Sequence, residues 1–571
     1  MRGILRELWR YRGWLLLGVL ALLLVDMAQL VTPLIIRAAV DDLVLGVGEH
    51  LPRYAMYLVG IAGTVLVFRF LWRYFLFGAG RKIERDLRNR LFGHLLTLSP
   101  SFYARHSTGD LMAHATNDLE AVRRACGMGV LLAADTLIMV SFALAAMIGI
   151  SPRLTLLAFI PLPFLTLVVL GFGRLIHRRF EQVQASFARL TERVREALSG
   201  IRVIRAFARE GGMGRAFAED NLEYIRLNMA LVRVWGVFRP LIGLLAGLGT
   251  GIVLWFGGRA VLTASISLGD FVAFTSYLGM LIWPMMALGW IVNLLQRGAA
   301  SMGRIQVLFS AQPDIKSPPR PKPFPRSHRI ELRKLSFAYP GEERPVLREI
   351  SVTVEEGMTL GIVGLTGSGK STLVRLIPRL YDPPPGTLLL GGVDIRELNL
   401  TELRGAIGMV PQDVFLFSAT LRENIAFGRP EATDEEVWQA ARLAGLAEEI
   451  ASFPDGLDTL VGERGIALSG GQRQRVGIAR ALILDPPILI LDDVLSSVDA
   501  RVEEEILGNL KGVLARRTAI VVAHRISAVR DADWIIVLQD GEILEQGDHR
   551  RLVAQGGLYA RLHELQQALV S

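Results

Sequence analysis

The first half of the chain carries hydrophobic residues in blocks of membrane-spanning length. They cover about residues 14–36, 54–77, 129–150, 153–172, 237–262 and 268–295. Each is long enough to cross roughly 30 Å of hydrocarbon at about 1.5 Å per residue, so six transmembrane helices are expected. The connections after the first, third and fifth blocks are short, and the first carries Asp41, Asp42 and Glu49. Those after the second and fourth are far longer, arginine-rich and helical in period. Short outer loops and long basic inner segments place both termini in the cytoplasm. The inner segments are too polar for lipid and too periodic for loops, so they read as continuations of the spans. The first block continues past signal-peptide length behind Arg2, Arg6, Arg10 and Arg12, and reads as a retained span.

Residues 310–329 break this pattern with repeated prolines, which neither helix nor sheet accommodates. Beyond them, short strand-like apolar runs such as 488–491, 518–523 and 534–538 alternate with helical periods, as in an α/β nucleotide-binding fold. The expected organisation is a polytopic α-helical membrane domain over 1–309, a linker over 310–329 and an α/β P-loop domain over 330–571.

Composition narrows this further. A chain of 571 residues that is 51% hydrophobic is too long for one domain and too apolar for an ordinary soluble protein. The net charge of +8 would suit nucleic acid, but the arginines cluster beside the apolar blocks, where topology accounts for them. A single cysteine, Cys126, excludes an intrachain disulfide and any cysteine-based metal cluster.

The chemistry begins at residues 364–372, Gly-Leu-Thr-Gly-Ser-Gly-Lys-Ser-Thr, a P-loop between a strand-like run at 358–363 and a helix-capable run at 373–380. Gly364, Gly367 and Gly369 let the backbone turn its N–H groups on phosphate, with Thr366, Ser368 and Thr372 in the same loop. Lys370 supplies a cation for the β/γ oxygens, and the Ser371 hydroxyl is a Mg²⁺ ligand. The apolar run 488–491 ends in Asp492 and Asp493, the first acid falling on the metal side and the second towards the γ-phosphate and attacking water. Leu468, Ser469, Gly470, Gly471 and Gln472 open a further helical run. Its free N–H groups and positive dipole end make a second phosphate site, which invites a dimer in which each chain's second site completes the other's first.

On these residues the chain resembles the ATP-binding cassette (ABC) transporters over nearly its whole length, and among them the exporters that fuse six membrane helices to one cassette. The resemblance implies ATP and Mg²⁺ as cofactors, a lipid bilayer as surroundings, amphipathic drugs, lipids or peptides as substrates, and a multi-pass place in the plasma (inner) membrane. It implies that Tyr339 stacks on adenine, that Gln412 touches Mg²⁺, and that His524 is the switch histidine near the γ-phosphate. It further implies that Asp499 is the D-loop aspartate, that 468–472 is the signature for the partner's site, and that 461–465 is the exporter loop contacting the membrane domains. Residues 102–118 and 199–210 are similar to the two intracellular coupling regions.

One position departs from the family pattern: exporters that hydrolyse ATP at both sites carry glutamate where this chain has Asp493. Aspartate is shorter by one C–C bond, about 1.5 Å, while a water-orienting group must lie within roughly 2.6–3.2 Å of its target. Slow hydrolysis at this chain's own site is therefore expected. The intact signature belongs to the opposite site, so a different second half-transporter with an intact glutamate is the expected partner. A homodimeric lipid flippase, an importer on the same fold and a nucleotide-gated regulator are the alternatives; a soluble cassette acting on nucleic acid is disfavoured by the spans. Asp26 and Asp135 fall inside spans and either face the substrate cavity or pair with Arg69, Arg73 or Arg239. Trp283, Met285, Met286 and Trp290 offer an apolar wall or ordinary helix packing.

Overall fold

The computed structural model describes residues 2–462, 468–495 and 500–570. The chain forms two compact units. The first holds the chain up to Leu96 and Thr108–Ala311, and the second holds Thr97–Ser107 with everything from Gln312 onward.

Among the described residues of the first unit, five helices are long and apolar enough to cross a membrane: Arg12–Val44, Leu51–Leu95, Thr108–Ile150, Glu210–Leu262 and Leu268–Ser310. They match five of the six apolar blocks. The block at 153–172 instead spans two helices, Pro152–Phe159 and Pro161–Ser199, where Pro161 opens the second. The helix Leu51–Leu95 has 45 residues, about 68 Å at 1.5 Å per residue, so the spans do continue well beyond a bilayer's apolar thickness. Glu84 marks one such extension: it accepts from Arg88 at 2.7 Å and lies 3.3 Å from Arg123. Asp118 is bound by Arg304 and, at 2.6 Å, by His114. Polar clusters of this kind join helices where lipid no longer surrounds them.

At the other end, the helix Leu268–Ser310 starts on a capping box between Ser267 and Asp270. Asp41, near the end of Arg12–Val44, accepts from the Gly269 N–H at 2.8 Å and the Ser267 hydroxyl at 2.9 Å, while Arg37 pairs with Asp270 at 2.9 Å. Gly269 is required by the close approach, since a Cβ there would lie 2.3 Å from the Arg37 carbonyl oxygen. Two turns further on, the buried Tyr277 hydroxyl donates to the Leu30 carbonyl at 2.7 Å. The first and last spans are thereby fastened to one another.

In the second unit, a six-stranded sheet of order β10-β9-β3-β8-β7-β6 carries the P-loop. Its strands are β3 (Thr359–Gly364), β6 (Ile407–Val410), β7 (Ile488–Asp492), β8 (Thr518–Val522), β9 (Trp534–Gln539) and β10 (Glu542–Gly547). All neighbours pair parallel except β10, which runs antiparallel to β9. β7 and β8 are buried at every position, as parallel strands covered on both faces must be. Their alternate residues feed two cores: Leu489, Leu491 and Val521 on one face, Ile488, Ile490 and Ile520 on the other. A second sheet, of order β2-β1-β4-β5, is formed by β1 (Ile330–Phe337), β2 (Leu347–Val354), β4 (Leu388–Leu390) and β5 (Val393–Asp394). The proline-rich stretch before β1 has neither helix nor strand from residue 312 to 329. Asp314 within it accepts from the Ser101 hydroxyl, and the Ile315 N–H donates to Ser99 Oγ at 3.1 Å.

Candidate functional site

Four adjacent parallel strands end at one edge of the sheet, in register. Val410 pairs with Leu491, Asp492 with Val522, and Ile362 also with Val522. The segments leaving these ends carry Gln412, Asp492 with Asp493, His524 and the P-loop. The carboxyl edge of an open α/β sheet is where such folds bind ligands.

The loop after β3 turns through left-handed glycines, Gly367 at φ +85° and Gly369 at φ +98°, before the helix Lys370–Leu376 begins. Gly364 has no room for a side chain, as a Cβ there would stand 2.2 Å from the Leu538 carbonyl oxygen. Lys370 is 6% exposed and curls back over the loop, its Nζ donating to the carbonyls of Gly364 at 2.9 Å and Leu365 at 2.8 Å. Burial lowers its pKa from the usual lysine value, against the pull of the Asp493 and Asp492 carboxylates. The Ser368 hydroxyl is enclosed without a hydrogen-bond partner.

Ser371 Oγ donates to Asp492 Oδ1 at 2.9 Å. Asp492 is wholly buried, and its Oδ2 is enclosed with no partner. Burial raises its pKa above the usual carboxylate range, only partly offset by the Ser371 hydrogen bond and by Arg375. An ionised, half-satisfied carboxylate at this depth is costly unless a cation comes to it. The donor set of hydroxyl and carboxylate oxygens is the hard type that Mg²⁺ takes alongside phosphate. Asp493 stands on a left-handed backbone, φ +51°, its N–H held by the Val522 carbonyl at 2.9 Å. Its Oδ2 lies 3.4 Å from Gln412 Nε2 and 3.8 Å from His524 Nε2.

The structure thus brings Lys370, Ser371, Asp492, Asp493, Gln412 and His524 together. Tyr339 is tied to the same helix through its hydroxyl, 3.0 Å from Thr372 Oγ1, with its ring edge-on to Tyr381 at 5.0 Å. The signature residues stand apart from this group. Ser469 caps the helix Gly470–Leu482, accepting from the Gln472 N–H at 3.2 Å, and Gln472 Nε2 donates to Glu449 at 2.8 Å. Leu468 is buried while Ser469 is exposed. Asp499 and residues 463–465 of the exporter loop lie outside the described residues. Of the coupling regions, Phe102 and Tyr103 lie in the helix Pro100–Arg105, and the second forms the helix Ile201–Ala206, followed by Phe207 at 74% exposure.

Two residues were not found by pattern. Tyr381 packs on Tyr339 but belongs to no motif. Gln566, in the last helix, donates to the His524 carbonyl at 2.8 Å and accepts from the Ile526 N–H at 2.8 Å, fixing the segment after β8. A lone glutamine so far along the chain gives no signal of this.

A sheet edge that sets a P-loop lysine, a serine-bound aspartate and a strand-end histidine in one group, on a chain whose other half is membrane helix, defines a nucleotide-driven membrane transporter. Residues 15–285 match the family model of the ABC transporter transmembrane region, and residues 347–496 that of the ABC transporter. The probable multidrug resistance ABC transporter ATP-binding/permease protein YheI of Bacillus subtilis (strain 168) is 40% identical over 574 residues, 99% of this chain and 98% of that protein. The multidrug resistance-like ATP-binding protein MdlA of Escherichia coli (strain K12) is 39% identical over 569 residues, 98% of this chain and 95% of that one. A solved bacterial Atm1-family ABC exporter with ATP bound matches at a TM-score of 0.81 and 29% identity, covering 97% of this chain and 99% of its own. The chain belongs to the ABC transporter family and has the exporter fold. It is a multi-pass membrane protein whose cassette binds ATP and couples its hydrolysis to transport.

Proposed function

We propose that this chain is one half of a two-chain exporter that moves amphipathic molecules, drugs, lipids or peptides, across the plasma (inner) membrane with both termini in the cytoplasm. The multidrug names of the two relatives support that substrate class. In this reading the membrane domain covers 1–309, the linker 310–329 and the cassette 330–571. ATP lies along the P-loop from Gly364 to Thr372, with Tyr339 against adenine. Ser371, Asp492 and Gln412 hold Mg²⁺, which neutralises charge on the β/γ phosphates. Lys370 faces the same oxygens, His524 lies near the γ-phosphate, and Asp493 orients water. Residues 468–472 and Asp499 serve the site on the partner. ATP-driven closure of paired cassettes alternates the membrane cavity between inward and outward access, and hydrolysis resets it.

The observation that carries the asymmetric reading is Asp493. Its short carboxylate is drawn towards Gln412 and His524 on a left-handed turn. Glutamate there would extend about 1.5 Å further towards a water. The decisive experiment is single-turnover hydrolysis in the assembled complex, with the partner's catalytic glutamate changed to glutamine so that only this chain's site reports. Asp493→Glu is expected to speed hydrolysis by about tenfold or more, within the roughly 10²–10⁴-fold typical of a positioned base. An unchanged rate would show that carboxylate reach does not limit this site.

A further inference from the structure

The first three spans carry charged residues outside the proposed ATP site, of which Asp26 is buried, Asp135 half-buried and Arg69 exposed. Asp26 lies on Arg12–Val44, Arg69 on Leu51–Leu95 and Asp135 on Thr108–Ile150. All three border one apolar cluster: Asp26 follows Leu22 and Val25, Arg69 is one turn before Trp72, and Asp135 is one turn after Leu131. The charged groups that act on Asp26 are Asp135 and Arg69, and the one that acts on Asp135 is Arg69. Asp26 is 1% exposed, and its Oδ2 is enclosed with no hydrogen-bond partner. Thr136, adjacent to Asp135 and 7% exposed, has an enclosed Oγ1 that is likewise unpartnered.

Two carboxylates against one guanidinium leave one negative charge in excess. Among apolar side chains at membrane depth such a charge is costly and marks a place that a cation completes. The unpartnered Asp26 Oδ2 is an acceptor already enclosed there. We propose that Asp26, Asp135 and Arg69 form a recognition site for a single positive charge, the ammonium head of a transported amphipath. This rests on the exporter reading and adds the charge class of its substrate. Arg69 offsets one carboxylate, so the site takes a monocation and not a dication. A proton is the other source of one positive charge, and it competes for the same oxygens.

The test uses the full-length protein in lipid nanodiscs and three fluorescent amphipaths, matched except for a trimethylammonium, a neutral tert-butyl or a bis-ammonium head. Binding is read by anisotropy from pH 6 to 8 without ATP. Wild type is expected to bind the trimethylammonium probe about tenfold or more tighter than the tert-butyl probe, since the carboxylates attract a charge that the neutral isostere lacks. Proton competition makes that preference grow with pH. Asp26→Asn and Asp135→Asn remove the preference, and thermal unfolding like that of wild type reports that each variant is folded. Arg69→Gln shifts preference towards the bis-ammonium probe. Equal binding of the first two probes by wild type at every pH assigns the carboxylates to protons and overturns the proposal. A preference that survives both aspartate changes, or an Arg69→Gln protein with an unaltered mono- to bis-ammonium ratio, overturns it as well. Hydrolysis stimulated by the tert-butyl probe in nanodiscs that also hold the second half-transporter reads the exporter function separately.

Discussion

At the scale of single residues, the proposed ATP site holds groups that are costly to bury. Asp492 has no exposure, an unpartnered oxygen and a pKa raised by burial. A raised folded-state pKa means that the folded protein holds this proton more tightly than the unfolded chain does. Its contribution therefore favours folding at low pH and is lost as pH rises from the ordinary carboxylate value through the raised one. Above the pH at which the carboxylate ionises it is a net cost, so Asp492→Asn should raise the melting temperature of nucleotide-free protein above that pH while abolishing hydrolysis. About 1 kcal/mol would appear as roughly 2–4 °C in a domain of this size. A lowered melting temperature in calorimetry would mean that the carboxylate is already well compensated. Lys370 is the counterpart, a buried amine whose pKa burial lowers, against the pull of Asp493 and Asp492. Lys370→Ala should weaken photolabelling of this chain by an ATP analogue about tenfold or more, and undiminished labelling would refute the P-loop assignment.

At the scale of elements, the fastening of the first span to the last rests on an approach that only glycine permits. Gly269→Ala puts a methyl 2.3 Å from a backbone oxygen, whereas a Cβ on Gly279 of the same helix meets nothing within 4 Å. Gly269→Ala should destabilise the protein in detergent by about 2 kcal/mol or more, and Gly279→Ala by less than about 0.5 kcal/mol. Similar thermal unfolding of the two variants would show that the junction yields freely. Gly269 also shows where sequence reading stops. Apolar blocks and prolines reveal that spans exist and where the cassette begins, because lipid and sheet impose those patterns locally. They say nothing of Asp41 reaching Ser267 and Gly269, a contact between distant segments with no periodicity of its own. The grouping of the P-loop, Asp492, Gln412 and His524 is legible in sequence because each stands at or just after the end of a strand. Tyr381 and Gln566 are not, since only tertiary packing brings them to Tyr339 and to the segment after β8. Within the block at 153–172, Pro161 opens a second helix after Pro152–Phe159, a break that apolar length alone does not reveal.

At the scale of the whole molecule, the proposed reading makes the signature helix and the P-loop group two half-sites on one cassette. Ser469 and Gln472 bond to one another and to Glu449, not to Lys370 or Asp492, so neither half-site supplies the other within the chain. An ATP site made from both halves needs a second cassette. If that cassette belonged to an identical chain, both composite sites would carry Asp493 and both would turn over slowly. If it belongs to a different chain with glutamate at the matching position, the signature here completes a fast site. Expression of this chain alone is accordingly expected to give a protein that binds ATP but shows little substrate-stimulated hydrolysis. Co-expression with the second half-transporter should raise turnover on the order of 10²-fold or more, the loss ascribed to a misplaced base. Purification of each form, followed by hydrolysis assays with and without an amphipathic substrate in proteoliposomes, separates the cases. A homodimer with full stimulated turnover would show that Asp493 reaches its water well enough, and the asymmetric assembly would have to be given up.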